Sequence, residues 1–326
     1  MEGEGQSGGG GDPDAPRRLV DPELRKRRRR GRRRSSEDNG VRKRRANDAL
    51  RGKVISKRFK IGEQLGSGSF GDVYACEDMA GGAPKAVKLE RVGDGSSQLE
   101  YESRVYGALR GVFGTPAVYH FGKHGNFRAL VMDRLRQSLQ DLVDDGTPLP
   151  VAHACVVAAK GLQRLEDVHE RGFLHRDLKP QNFVLSDDGE LHLIDFGLAK
   201  KYVTAGGHHI PYREGKSLTG TPRYASVNCH LGAEQGRRDD VEALMYTVIF
   251  LCKGALPWQG IRARGREDKN QRIGDHKLRT SLTELCAGLP PEFLTVMREV
   301  RQLRFEERPE YGKYRALLRK AQSSNE

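Results

Sequence analysis

The chain has 326 residues, 36% of them apolar, with 57 Lys/Arg against 44 Asp/Glu and a formal net charge of +13. Residues 1–58 carry 19 of those cations and 9 of the acids, so +10 of the surplus belongs to the leading segment and only +3 to the rest. Any inference of nucleic-acid or membrane binding from the basic balance therefore falls on that segment and not on the folded body. Five cysteines, Cys76, Cys155, Cys229, Cys252 and Cys286, are odd in number and widely spaced, which excludes a disulfide framework and the close pairs of a zinc site. No run approaches the ~18 apolar residues of a membrane span, and the N-terminus is glycine-rich and acidic. An intracellular monomer of cytoplasm and nucleus, without membrane contact, is expected.

Residues 1–57 read as a disordered basic tail. The first 16 hold Gly, Pro, Ser and acids without hydrophobic period, a composition that cannot offset its ordering entropy. Arg25 to Arg34, nine of ten residues basic, and then Arg42 to Arg45 repel themselves and stay extended. Across 25–45 this suits an import receptor or a polyanion, against the plainer reading of a solubilising tail. Between the runs, phosphorylation of Ser35 or Ser36 would partly neutralise the positive charge.

From Phe59 the texture changes. Phe59 to Leu65 and Asp72 to Cys76 alternate as a strand hairpin, and Ala86 to Leu89 reads as a third strand. Gln98 to Leu109 has a helical period that puts Leu99, Val105, Tyr106 and Leu109 on one side. Ala117 to Phe121 and Arg128 to Met132 close a small sheet. Val151 to His169 then sets Ala158, Leu162, Leu165 and Val168 at spacings of three and four, a long buried helix. Short strands at Phe183 to Leu185 and Leu191 to Ile194 follow. From Asp239 helices dominate, interrupted by Pro257, Pro290, Pro291 and Pro309.

Four constellations carry chemistry. Leu65, Gly66, Ser67, Gly68, Ser69, Phe70, Gly71, Asp72 and Val73 lie between strands, where glycines let backbone N–H groups approach phosphates. A dinucleotide fold uses the same glycine spacing, but there the third glycine opens a helix, whereas Val73 to Cys76 continues as strand. Lys88, on an apolar strand, needs a partner, and the helix offers Glu100 and Glu102; Glu102, interior to the helix, is the better placed. His175-Arg176-Asp177-Leu178-Lys179-Pro180-Gln181-Asn182 assembles polar groups at fixed offsets after a buried helix. There Asp177 would accept a hydroxyl proton, Lys179 would neutralise a transferring phosphoryl group, and Asn182 would bind magnesium. Asp195, in Asp195-Phe196-Gly197, supplies a second metal ligand.

Together these residues resemble the protein kinase family over about 260 positions, and within it the casein kinase 1 branch. Ser226-Val227-Asn228 stands where most kinases carry Ala-Pro-Glu, and it follows Leu218 to Ala225. His230-Leu-Gly, Arg237 to Asp240, Leu256 to Gly260 and Leu303 to Tyr311 point to the same branch. The resemblance implies an α+β bilobal fold, with a β-rich N-lobe over 59–133 carrying one helix and a mainly helical C-lobe over 134–320. It implies ATP and magnesium as cofactors, a hinge at Asp133 to Leu135, Met132 as gatekeeper, and Val73, Ala86 and Val184 around the adenine. The Lys179 position implies serine or threonine as acceptor. Acidic or already phosphorylated protein substrates are implied too, with Arg223, Gly260 and Lys269 matching one anion site and Arg176, Lys200 and Lys216 a second. Arg134, Arg136 and Gln137 depart from the family after the gatekeeper, and Met245 stands where glycine is usual. Two rival functions are a scaffold that has lost catalysis, which the presence of Lys88, Asp177, Asn182 and Asp195 disfavours, and nucleic-acid binding through the tail. No aromatic residues interleave the tail's cations, so that binding would have little sequence choice.

Overall fold

Period-two burial from Phe59 onward builds an antiparallel sheet under a single helix. A computed structural model describes residues 50–68, 71–93 and 95–325. The basic runs and Ser35 and Ser36 lie outside the described residues. Strands β1 (Val54–Ile55), β2 (Phe59–Gly68), β3 (Gly71–Asp78), β4 (Lys85–Arg91), β5 (Val118–His124) and β6 (Phe127–Asp133) form one sheet in the order β1-β2-β3-β4-β6-β5. In β2, Phe59 and Ile61 are buried while Lys60 between them is exposed. Helix α1 (Gln98–Ala108) starts at Ser97, whose hydroxyl accepts the Glu100 N–H at 3.0 Å. Glu90, from β4, accepts the next free amide, Gln98 N–H, at 2.9 Å. The helix start is thus capped from two directions, and this fixes α1 to the sheet.

One expectation is corrected here. The tail was expected to run to residue 57, yet Val54 pairs with Lys60 and Ile55 with Phe59, and Ile55 is fully buried. A two-residue strand has no period to read, and Ile55 is a lone apolar side chain whose burial depends on its neighbour strand.

The C-lobe starts after Asp133 with β7 (Gln137–Ser138) and continues with α2 (Val151–Glu170), β8 (Phe173–Leu174), β9 (Phe183–Leu185), β10 (Leu191–Leu193) and β11 (Lys200–Lys201). Helices α3 (Val227–His230), α4 (Arg237–Lys253), α5 (Arg266–Arg279), α6 (Leu282–Leu285), α7 (Pro291–Gln302) and α8 (Tyr311–Ser323) complete it. Ala158, Leu162, Leu165 and Val168 of α2 are all buried, and the helix packs on α4 and α8. Helix α4 is buried on every side from Asp239 to Leu251, the mark of a helix through the core. Met245 is fully buried within it and fills interior space. Strands β7, β8 and β11, of two residues each, have no signal in the sequence. The result is the expected α+β fold of two lobes. Among the described residues no helix is long and apolar enough to cross a membrane.

Because Ile55 is enclosed, Ile55→Ala should lower the stability of the N-lobe by about 2–4 kcal/mol, the usual cost of emptying a buried aliphatic site. Urea unfolding of the whole chain checks this, and an unchanged midpoint would return residues 54–55 to the tail.

Candidate active site

Between the lobes lies a cavity of about 230 Å³. Leu65, Gly68, Gly71, Val73, Ala86, Lys88, Met132, Asp133, Leu135 and Val184, all expected around a nucleotide, line it. Gly66, Ser67 and Asp72, also expected around a nucleotide, lie on the same hairpin but do not line the cavity. They pair across the hairpin as Gly66 with Val73 and Ser67 with Asp72, and Asp72 accepts a bond from Gln64 at 3.1 Å. Successive strand residues point to opposite faces, so a continuous run cannot all face the cleft. Ser69 and Phe70 lie outside the described residues. Gly71 has φ +139°, and a Cβ there would lie 2.4 Å from the Leu89 carbonyl oxygen, so the hairpin closes on the sheet only with glycine. Arg134 also lines the cavity mouth and pairs with Glu63 of β2 at 3.8 Å.

Lys88 is held between two carboxylates, Glu102 Oε2 at 2.7 Å and Asp195 Oδ1 at 2.8 Å. Glu100 is turned to the surface, where it pairs with Arg104. Burial works to lower the Lys88 ammonium, but the charges of Glu102 and Asp195 outweigh it and hold it above the ordinary lysine value. Burial likewise works to raise Asp195, and Lys88 overcomes that to keep it below the usual carboxylate range. Helix α1 grips the segment after Asp195 at further points. The Gln98 amide donates to the Gly197 carbonyl, the Tyr101 hydroxyl donates to Ala199 O at 2.8 Å, and the Asp195 N–H donates to the Tyr106 hydroxyl at 3.3 Å. Phe196 is buried edge-on against Tyr106 at 5.2 Å and His175 at 5.0 Å.

The loop from His175 to Asn182 is positioned from beneath by Asp240, which the sequence offered only as a family marker. Asp240 accepts the His175 N–H at 2.7 Å and the Arg176 N–H at 2.8 Å, and its Oδ2 lies 2.9 Å from His169 Nε2. Burial works to raise this carboxyl, but the bond and charge of His169 and the His175 contacts hold it low. His175 takes the Asp177 N–H on Nδ1 at 3.2 Å, so its Nε2 carries the proton donated to Ile194 O at 2.9 Å. The Asn182 amide nitrogen donates to Asp177 O at 2.8 Å, which leaves the amide oxygen for another ligand.

Asp177 itself is nearly buried and already oriented. Its Oδ2 accepts from Lys179 Nζ at 2.6 Å, and its Oδ1 accepts from the Thr221 N–H at 2.8 Å and the Thr221 hydroxyl at 2.7 Å. Sequence reasoning missed Thr221. The signal available was Gly220, with φ +94°, where a Cβ would lie 2.3 Å from the Arg176 carbonyl oxygen. Only glycine brings the chain close enough for the next residue to reach Asp177.

The two expected anion groups differ. Arg223, Gly260 and Lys269 are brought together in a depression of about 610 Å³ that also contains Lys179, Thr221 and Arg266, the last unnamed by the sequence reading. Lys200 and Lys216 instead share the buried carboxylate of Glu234 at 2.7 and 3.5 Å, and the Arg176 guanidinium donates to Leu198 O at 2.8 Å. The second cluster therefore forms around an acid of the chain's own.

A cleft with an ammonium fixed by two carboxylates, facing an oriented carboxylate–lysine pair on a separate loop, defines an enzyme that transfers a phosphoryl group from a bound nucleotide. The family model for the protein kinase domain matches residues 59–314, and the chain belongs to that family.

Thr221→Ala leaves Asp177 with the backbone N–H but without the hydroxyl, and turnover on casein at saturating ATP should fall about tenfold, while Thr221→Ser should retain most of it. Equal losses in both variants would assign the effect to packing.

Proposed function

We propose that the chain is a serine/threonine protein kinase of casein kinase 1 type, which moves the γ-phosphoryl group of ATP onto serine or threonine in acidic or already phosphorylated proteins. The observation that carries this reading is the continuity of the Asp177–Lys179–Thr221 cluster with the depression holding Arg223, Arg266 and Lys269. A substrate hydroxyl at Asp177 would thus have its flanking residues over a cationic surface. Guanidinium and ammonium groups make strong, charge-assisted bonds to phosphate and carboxylate.

In this reading Asp177 accepts the hydroxyl proton and Lys179 offsets charge on the transferring group. Lys88, fixed by Glu102, holds the nucleotide phosphates. Among the described residues no cluster of three or more His, Cys, Asp or Glu stands ready to hold a metal. The donor set present is one carboxylate, Asp195, and the Asn182 amide oxygen, which suits magnesium, an ion that shares its shell with water and substrate phosphates. Bound there, magnesium would neutralise phosphate charge. A scaffold without catalysis is disfavoured because Lys88, Asp177, Asn182 and Asp195 are not merely present but assembled. The basic runs of 25–45 are proposed to direct nuclear entry.

Two experiments test these statements. Peptides that differ only by a phosphoserine or acidic residue upstream of the acceptor should be used about tenfold apart in kcat/KM, and Arg223→Ala with Lys269→Ala should erase the difference. A kinase indifferent to the upstream residue would refute the substrate reading. Nuclear accumulation should fall when residues 1–50 are removed, and an unaltered distribution would leave the tail without that role.

A further inference from the structure

Lys277, on α5, is fully buried, and neither the catalytic nor the anion-binding groups include it. Burying an ammonium costs free energy unless specific partners compensate. Among the described residues its bonding partners are not carboxylates but two carbonyl oxygens, Pro222 O at 2.9 Å and Ala225 O at 2.5 Å. Those carbonyls bracket Arg223. The same ammonium sits 4.9 Å from the ring centre of Tyr246 and 5.0 Å from that of Trp258, faces that attract cations. Trp258 in turn donates its indole N–H to the Arg223 carbonyl at 2.8 Å. His230 Nε2 lies 3.0 Å from Pro222 O. Burial, with the charge of Lys277, depresses this imidazole to about 4, so the ring is neutral and serves as a plain N–H donor.

Every carbonyl from Pro222 to Ala225 except that of Tyr224 is therefore held from below, by Lys277, Trp258 and His230. Above, the Arg223 guanidinium lies 5.5 Å from the ring centre of Phe250 and 5.7 Å from that of Tyr224. No acid pairs with it among the described residues. Its direction is set by the backbone that Lys277 anchors, by these rings and by a long bond to the Tyr224 hydroxyl at 3.5 Å. Burial pushes Lys277 down to about 7, and either charge state has enough N–H groups for both carbonyls.

We propose that Lys277 is a positioning residue for substrate selection: by clamping the carbonyls on either side of Arg223 it aims that guanidinium at the anionic group of the substrate. This rests on the reading of the Arg223–Lys269 depression as the substrate's anion site. A lysine that only fills space would be replaceable by an apolar side chain of equal length. A lysine that clamps two carbonyls is not.

The experiment compares a phosphoserine-primed peptide with its unphosphorylated twin in the whole chain and in Lys277→Met, Lys277→Gln and Arg223→Ala. Lys277→Met should lower kcat/KM for the primed peptide about tenfold more than for the twin, with the loss entering through KM of the primed peptide. Trp258 is the chain's single tryptophan and touches the same backbone, so its emission reads phosphopeptide binding directly, and the midpoint should move by the same factor. If Lys277→Met does not fold, Lys277→Gln, too short to reach both carbonyls, decides on the same ratio. If Arg223→Ala erases the discrimination while the folded Lys277 variant keeps it, the positioning role is overturned and the anion site stands. A loss shared equally by both peptides also overturns it, since that is a general effect through Thr221. If Arg223→Ala leaves the discrimination intact, the anion-site reading fails and the inference falls with it.

Discussion

The active site depends on one buried acid. Asp240 opens α4, the helix that runs through the C-lobe core, and it accepts two consecutive backbone amides of the catalytic loop together with the His169 ring. A carboxylate so buried is tolerable only when its oxygens are fully engaged, and the N-terminal position on a helix adds favourable dipole. Those demands run both ways. The loop must bring His175 and Arg176 to Asp240, and Arg176 takes φ +68° to do so, which turns Asp177 toward the cleft.

The neighbouring acids of α4 extend the same logic to the substrate side. Asp239 accepts the Ser226 hydroxyl at 2.6 Å and the Asn228 amide at 3.3 Å, and burial raises it to about 6 against the pull of the Gly236 N–H and the Ser226 hydroxyl. Glu242 accepts the Val227 N–H at 3.1 Å and pairs with Arg301 at 2.8 Å. The first turns of one helix therefore index both the catalytic loop and the segment that carries Ser226 to Asn228. Ser226 and Asn228 donate to Asp239, and Glu242, the arginine-paired acid, is on the same helix.

Much of this was legible in the sequence because catalytic groups act through their own side chains. Lys88, Glu102, Asp177, Lys179, Asn182 and Asp195 are read from type and spacing, and the structure places them together. What escaped acts through backbone. Asp240 and Lys277 work on backbone amides and carbonyls, and Thr221 reaches Asp177 partly through its own backbone N–H; the directions of these groups depend on the fold, and no spacing rule exposes them. Among the described residues of the run from Leu65 to Val73, the hairpin pairing separates those that line the cavity from those that pair across the strands. Long helices such as α2 declared themselves by period. Strands of two residues, whose burial is borrowed from their partners, could not.

The two cationic groups beside the active site show how charge is allotted between structure and binding. At Arg176, Lys200 and Lys216 the fold supplies Glu234, and burial, which would raise that carboxyl, is overcome by Lys200 and Lys216. With Arg176 spent on Leu198 O, the segment from Asp195 to Lys216 is held by contacts internal to the chain. No acid lines the depression around Arg223 and Lys269 among the described residues, and the buried Lys277 beside it bonds to two carbonyls. The charge of Glu242 acts on Lys277 without a bond, while the bonds of the lysine go to two carbonyls and its flanks to two ring faces. The Arg223 guanidinium has no carboxylate partner among the described residues, and a charge left uncompensated by the chain attracts anions.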